Sequence, residues 1–181
     1  RIKNAVNGLN TILTEFLSLG KLEEGRITAS PAPMALPECI HEVHQELRTL
    51  FRTGQKLDYQ HSGPEMVKLD GSILKNILIN LISNGIKYSG ENATIWLTTA
   101  VAEHKMLLTI RDEGIGIPYE DQKHLFDRFF RATNATNIHG TGLGLYIVKR
   151  YVSMMNGSIH FESTPEAGST FFLEFELPEN D

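Results

Sequence analysis

Apolar and polar positions along the chain follow two periods, and each change of period marks an element. Residues 1–20 carry Ile2, Val6, Leu9, Leu13 and Phe16 in four-three alternation, the seam of a helix that packs on another helix. An ordinary amphipathic helix lying on the main core would show the same two heptads. Gly20 and Gly25 then punctuate the chain. Residues 26–37 read as loop, with Pro31, Pro33 and Pro37. A helical period returns over 38–52, where Ile40, Val43, Leu47 and Leu50 share one face. Residues 56–60 and 66–69 read as short strands around the turn "HSGP". Asp70 is a suitable N-cap for a long helix over 71–88.

The second half alternates more sharply. Residues 94–101 and 105–111, rich in Thr, Ile, Leu and Val, predict two strands. A glycine turn follows, then a short helix over 119–129 and a polar stretch over 131–141. A further helix over 143–155 ends at Asn156 and Gly157. Strands over 158–164 and 169–177 close the chain around the turn "TPEAGS". In the last of them Phe171, Leu173, Phe175 and Leu177 alternate with Phe172, Glu174 and Glu176. This order predicts a layered fold of helices and strands: a mixed sheet with helices on one face.

Composition narrows the function classes. At 181 residues the chain is one domain with room for a short extra element. A single cysteine, Cys39, excludes an internal disulfide. The seven histidines are scattered and form no HExxH pair, so no zinc site is expected. A net charge of −5 without a basic stripe argues against nucleic acid as a partner. No apolar run reaches the ~18 residues of a membrane span, so no membrane contact is expected. No signal peptide is present either. The chain opens in helical pattern without an initiator Met, as a fragment of something longer would; these residues are expected to be cytoplasmic, whether or not the parent carries a membrane anchor.

Three stretches carry candidate chemistry. On "SILKNILINLISNGIKYSG", Asn76, Asn80, Asn84 and Lys87 form a stripe beside the core stripe of Ile73, Leu74, Ile77, Leu78, Leu81 and Ile82. Asparagine is a poor interior helix residue. A row of amide oxygens and one ammonium suits a phosphate and Mg²⁺ site. On spacing alone, a solvated face fits equally. In "IRDEGIGIP", a strand end places Asp112 before Gly114 and Gly116. Such a carboxylate can accept from an exocyclic amine such as that of adenine, but a plain hairpin turn would look alike. It is not the dinucleotide fingerprint, because Tyr119 holds the place of the third glycine. In "HGTGLGLYIVKRY", Gly140, Gly142 and Gly144 run into an amphipathic helix, whose free N–H groups and dipole form an anion site. No Walker ending and no protein-kinase HRD or DFG set occurs.

The order of these parts is more specific than any one of them. An Asn-rich helix, an Asp-x-Gly-x-Gly turn, the aromatic patch "LFDRFFR", a polar loop and Gly-x-Gly-x-Gly at a helix start together resemble the ATP-binding domain of sensor histidine kinases. That family shares a superfamily with gyrase, the large heat-shock chaperone and MutL. The match covers about residues 35–178. Residues 1–25, ending "LGKLEEG", are similar to the second helix of the family's dimerisation hairpin.

The resemblance implies a Bergerat-type α+β two-layer sandwich, with a mixed, mainly antiparallel sheet covered by helices on one face. It implies one hairpin helix over 1–25, a linker over 26–37 and the catalytic domain over 38–181. It also implies ATP and Mg²⁺ as ligands, the latter on Asn84. Asn80 stands where gyrase and the chaperone carry a catalytic glutamate. Lys87 is expected near the phosphates and Tyr88 against the nucleotide. Gly85 replaces the usual alanine, at ~1 kcal/mol of helix preference. Asp112 is expected on the adenine amine, with Gly114, Gly116 and Ile117 shaping the pocket. Phe126, Phe129 and Phe130 would pack near a lid over 132–139, and Arg131 would reach the γ-phosphate. Gly140, Thr141, Gly142, Leu143, Gly144 and Leu145 match the second glycine box, with His139 where a further glycine is common. Thr170 holds a position near the adenine.

The resemblance therefore implies a protein-histidine kinase. Asn80, Lys87 and Arg131 would assist γ-phosphoryl transfer to a histidine outside these residues, for relay to a response-regulator aspartate. A missing first hairpin helix and a homodimeric parent follow from the same likeness. A nucleotide-binding module without kinase activity, or an ATPase of the gyrase or MutL type, are the rival readings. His44, in "HQELRTLF", imitates a phosphoacceptor. Gln45 stands where the acidic residue should follow it, and it lies after the second hairpin helix, beside the core stripe of its own helix. It is read as a surface histidine.

Overall fold

A computed structural model describes residues 2–178, and their side chains from Leu13 onward. The chain runs α1 (Ile2–Glu23), β1 (Ala32–Ala35), α2 (Leu36–Leu47), β2 (Lys56–Ser62), β3 (Met66–Leu69) and α3 (Gly71–Tyr88). It continues through β4 (Thr94–Ala102), β5 (Lys105–Asp112), α4 (Gly144–Met154), β6 (Ser158–Thr164) and β7 (Gly168–Glu176). Five strands form one open sheet in the order β2-β4-β5-β7-β6. Only β2 and β4 pair in parallel, because α3 lies between them as the crossover. The other neighbours are antiparallel. This is the mixed, mainly antiparallel sheet of a two-layer sandwich.

Strand alternation decides which face is covered. Ile95, Leu97, Met106, Leu108, Ile110, Phe171, Leu173 and Phe175 point inward and are buried. They meet Ile40, Val43 and Leu47 of α2, the Ile/Leu stripe of α3, and Ile147, Val148, Tyr151 and Val152 of α4. The opposite face carries Trp96, Thr98, Leu107, Arg111, Thr170 and Phe172 at the same registers. Arg111 lies over the Trp96 ring there, 5.0 Å from its centre.

The ends of α3 are fixed from both sides. Asp70 caps its start, accepting from Ile73 N–H at 2.9 Å and from Ser30 N–H at 2.8 Å. At its finish Arg52 donates to the carbonyls of Lys87 and Ser89, and Gln55 to those of Ile86, Ser89 and Gly90. These bonds take up carbonyls that the helix end leaves without a partner.

Several boundaries differ from the sequence reading. Residues 26–37 are not all loop: β1 pairs with β3 in a separate two-stranded sheet, so residues 56–60 and 66–69 do not form a hairpin with each other. Pro33 is tolerated because β1 is an edge strand. Helix α2 stops at Leu47, since Arg52 and Gln55 are engaged in capping α3, and Leu50 is 51% exposed rather than in the core. The segment 119–129 forms only a short 3₁₀ turn at Gln122–His124. Its side chains bond outward instead of permitting a helix. Gln122 donates to the carbonyls of Ile117 and Ser163, and Asp121 accepts from Thr133. Gly20 does not interrupt α1, which runs on to Glu23 and is closed by a turn at Gly25 (φ +64°). There Arg26 N–H bonds Lys21 O at 3.0 Å and Gly25 N–H bonds Leu22 O at 3.3 Å.

Helix α1 packs against α4, with Leu19 and Leu22 buried in the same core. Of the predicted seam, Leu13 and Phe16 are about half exposed, as an unpaired seam would be. The side chains of Ile2, Val6 and Leu9 lie outside the described residues. Among the described residues no helix is long and apolar enough to cross a membrane. His44 is half-buried and packs edge-on against Phe51, with ring centres 5.7 Å apart.

Candidate nucleotide-binding site

A cavity of about 130 Å³, open to solvent, lies between α3, the ends of β5 and β7 and the start of α4. Its floor is Asp112. The residue closes β5 in phase with Met106, Leu108 and Ile110, so alternation turns its carboxylate inward, and it is 8% exposed. Oδ1 accepts from Gly114 N–H at 2.8 Å and from Ser169 N–H at 3.3 Å. Oδ2 has no hydrogen-bond partner among the described residues. Burial pushes this carboxyl up to about 6, and the two N–H donors oppose the shift. A buried carboxylate with one vacant oxygen at a cavity floor suits an exocyclic amine.

The turn after Asp112 must run close to its neighbours. Gly116 has φ +62°, and a Cβ there would fall 2.0 Å from Thr164 O. Ile117 and Ile115 line the cavity beside it.

The opposite end is built for negative charge. Asn84, Lys87 and Tyr88 of α3 line it. Asn84 makes no side-chain hydrogen bond among the described residues, so both its amide groups are available. The Lys87 ammonium lies 4.6 Å from the Tyr88 ring centre and has no ion-pair partner among the described residues. Thr141, Gly142, Gly144 and Leu145 face them. Helix α4 begins at Gly144 without a side-chain cap, which leaves its first N–H groups for an anion. Gly142 has φ +74°, and a Cβ on it would lie 2.6 Å from the Phe130 carbonyl oxygen. Asn76 and Asn80 donate to carbonyls of their own helix at 2.9 Å. The Asn80 oxygen lies 2.9 Å from the Cβ position of Gly144, against the glycine box but behind the cavity wall.

A lid segment covers one side. The Arg131 Nη2 donates to the carbonyls of Ala135 at 2.8 Å and Thr136 at 3.1 Å, and to that of Ile138. Its Nε is buried without a partner. In this arrangement the guanidinium holds the lid turn together and does not extend along the cavity. Asn134 latches the lid to the Asp112 turn by donating to Gly116 O at 3.0 Å. Phe130 lines the cavity; Phe126 packs edge-on against Phe161; Phe129 is 52% exposed and faces Phe16 of α1.

The structure thus brings together Asn84, Lys87, Tyr88, Asp112, Gly116, Ile117, Arg131, Thr141, Gly142, Gly144 and Leu145. Gly114 sits behind the wall and serves Asp112 through its N–H. Besides Asn80 and Gly114, two expected residues do not face the cavity. The Leu143 side chain is fully buried in the core, while its N–H bonds Thr141 Oγ at 3.1 Å. Thr170 points to the other face of the sheet, in a groove with Trp96 and Arg111. The inward position belongs to Ser169, with Phe171 beyond it. Ser169 was legible: it is in phase with Phe171, Leu173 and Phe175, and Thr170 is not. Glu15 of α1 and Asn134 also line the cavity. No motif marks them, because both arrive by tertiary packing.

The fold and cavity define an ATP-binding domain. Residues 69–180 match the family described as histidine kinase-, DNA gyrase B-, and HSP90-like ATPase, and the chain belongs to it. Within that family its relatives are sensor kinases. The chain is 35% identical over 189 residues to the signal transduction histidine-protein kinase BarA of Escherichia coli, covering 99% of this chain. It is 32% identical over 187 residues to the sensor protein GacS of Pseudomonas syringae, covering 98%. In each case it spans 20% of the relative's length. The histidine kinase ThkA, solved in complex with the response regulator protein TrrA, superposes with a TM-score of 0.71 at 26% identity, over 97% of this chain and 49% of that one. The chain is the ATP-binding kinase domain of the sensor histidine kinase type.

Proposed function

We propose that this domain binds Mg-ATP and donates its γ-phosphoryl group to a histidine on a hairpin helix outside these residues. An aspartate of a response regulator would then receive it, in a parent protein that is cytoplasmic at this domain and dimeric through the hairpin. The observation that carries the reading is the free oxygen of buried Asp112, facing a cavity whose far end holds Asn84, Lys87 and the glycine box. Sensor kinases of the BarA and GacS type, and the regulator complex of ThkA, support the acceptor chemistry. Helix α1, with residues 1–25, is assigned as the second helix of the hairpin; of the expected linker 26–37, residues 26–31 are assigned as the connection, because β1 and the start of α2 belong to the domain.

Each residue has a role in positioning. Asp112 Oδ2 accepts from the adenine amine, while Gly114 and Ser169 hold Oδ1 and so fix the carboxylate. Ile115, Ile117 and Phe171 enclose the base in apolar surface. The glycine box and α4 start present N–H groups to the phosphates. Lys87 adds a positive charge that pairs with no carboxylate among the described residues. Arg131 orders the lid that excludes water, and Asn80 braces Gly144. Phosphoryl transfer needs mainly such alignment and charge neutralisation.

The donor set fits Mg²⁺. Asn84 offers a neutral, unengaged amide oxygen, and among the described residues no three His, Cys, Asp or Glu side chains cluster as a metal site. A Mg²⁺ ion on Asn84 would take its other ligands from phosphate and water and would supply charge neutralisation when bound. Asn80 carries an amide where a general base would be needed for water attack, which counts against an ATPase of the gyrase type. The test is incubation of the full-length parent with γ-labelled ATP. Acid-labile, alkali-stable label on histidine is expected; tight nucleotide binding without label would sink the kinase reading.

A further inference from the structure

Glu15 is the point where α1 enters the cavity. Its Oε2 accepts a hydrogen bond from Thr141 Oγ, and its Oε1 lies 3.8 Å from the Cβ position of Gly144. The carboxylate therefore sits over the uncapped start of α4, which favours an anion. Neighbouring contacts hold it there. Leu19 and Leu22 are buried, Arg128 pairs with Glu23 at 2.6 Å, and Phe16 lies 6.2 Å from Phe129. Glu15 is the one group of α1 that lines the cavity among the described residues, and it is negatively charged.

A carboxylate oxygen on a glycine-box hydroxyl occupies the same electrostatic niche as a phosphate oxygen. Two anions on one small donor set repel each other across a partly desolvated gap. We infer that Glu15 is a specificity-determining residue of the phosphate subsite, competing with the nucleotide's phosphates for the glycine box. Binding of a triphosphate and docking of α1 then oppose one another, and by linkage the opposition is reciprocal. This inference rests on nucleotide binding in the cavity. It discriminates by ligand charge: adenosine has no group to meet Glu15, whereas ATP does. A cation bridging Glu15 to the phosphates would reverse the sign, so the two arrangements are separable by one substitution.

The experiment is calorimetry of the whole chain and its Glu15→Gln variant with ATP in the presence of Mg²⁺, and with adenosine. Glutamine keeps the hydrogen bond to Thr141 and removes only the charge. ATP is expected to bind the variant at least roughly fivefold more tightly, with adenosine unchanged. Leu22→Ala, which loosens α1 without touching the cavity, should shift ATP affinity in the same direction. Amide exchange over residues 13–23 should rise with ATP and not with adenosine. Equal ATP affinity in wild type and Glu15→Gln would overturn the inference, and so would weaker binding by the variant, which would make Glu15 a ligand of the Mg-nucleotide. Failure of both proteins to bind either compound would overturn the nucleotide cavity itself, and the inference with it.

Discussion

The two ends of the cavity are built from different material. The adenine end is made of strands. Asp112 and Ser169 are register partners in β5 and β7, and both belong to the buried side of a five-stranded sheet. The phosphate end is made of the Asn84 and Lys87 side of α3, a glycine-rich turn, a lid held by Arg131 and Asn134, and a visiting helix. The first end is stiff because its backbone bonds are shared with the core. The second can change because individual side-chain bonds, and not a shared strand ladder, hold it. Recognition of the base and control of the phosphates are thereby separated within one cavity.

The sharpest break of this contrast is at the stiff end. Asp112→Asn should weaken ATP binding by roughly a hundredfold or more, since an amide in place of the carboxylate loses a charge-assisted bond of ~1.5–3 kcal/mol and turns a donor toward the amine. The fold should persist, with a thermal midpoint equal to or above wild type, because a buried charge is removed. Calorimetry and a melting curve check both halves. Next comes Asn84→Ala, expected to remove the Mg²⁺-dependent part of ATP affinity, roughly tenfold, while adenosine affinity stays as it was. Titration of both ligands with and without Mg²⁺ measures it.

The third test is pH. Asp112 titrates at about 6 in the folded chain, against 3.8 for the ordinary group. As pH falls from 7 to 5 the carboxylate is protonated and ATP affinity should drop about tenfold. Stability without nucleotide should move the other way. The folded state binds this proton more tightly than the unfolded one, so stability rises as pH falls through about 6 toward 3.8, by no more than ~3 kcal/mol. Asp112→Asn should abolish both trends. At the soft end, Arg131→Gln should speed amide exchange across residues 132–139 and raise the ATP dissociation constant a few-fold, since only lid carbonyls lose partners. Smallest of all is Thr170→Ala. Its side chain lies on the far face, so ATP affinity should not change; a marked loss would mean that β7 is shifted by one residue.

The motifs of both ends could be read from the chain. The Asn stripe, the Asp-x-Gly-x-Gly turn and the glycine box are local patterns, and local patterns survive into structure. The exception is Thr170, which the resemblance puts near the adenine, whereas strand phase gives the inward position to Ser169. At the soft end the sequence is less informative. The resemblance implies that Arg131 reaches the γ-phosphate, and the three carbonyls that it bonds in this structure are not visible in sequence. Glu15 reads as an unremarkable helix residue until α1 is folded back 126 residues to Thr141. The same limit hid the β1–β3 pairing and the parallel pairing of β2 with β4. Both depend on partners that no short window contains.

The place of β7 in the sheet has a consequence for how the domain comes into being. It is the last strand in the chain, yet it lies between β5 and β6 and not at an edge. Until it emerges from a ribosome, β5 and β6 each present an unpaired edge, the surface along which nascent chains aggregate. Ser169 and Phe171 arrive with it, so a growing chain can hold the Asn-bearing helix and Asp112 and still lack the β7 side of the adenine end. Competence to bind nucleotide is acquired in one late step, when a single strand closes the gap.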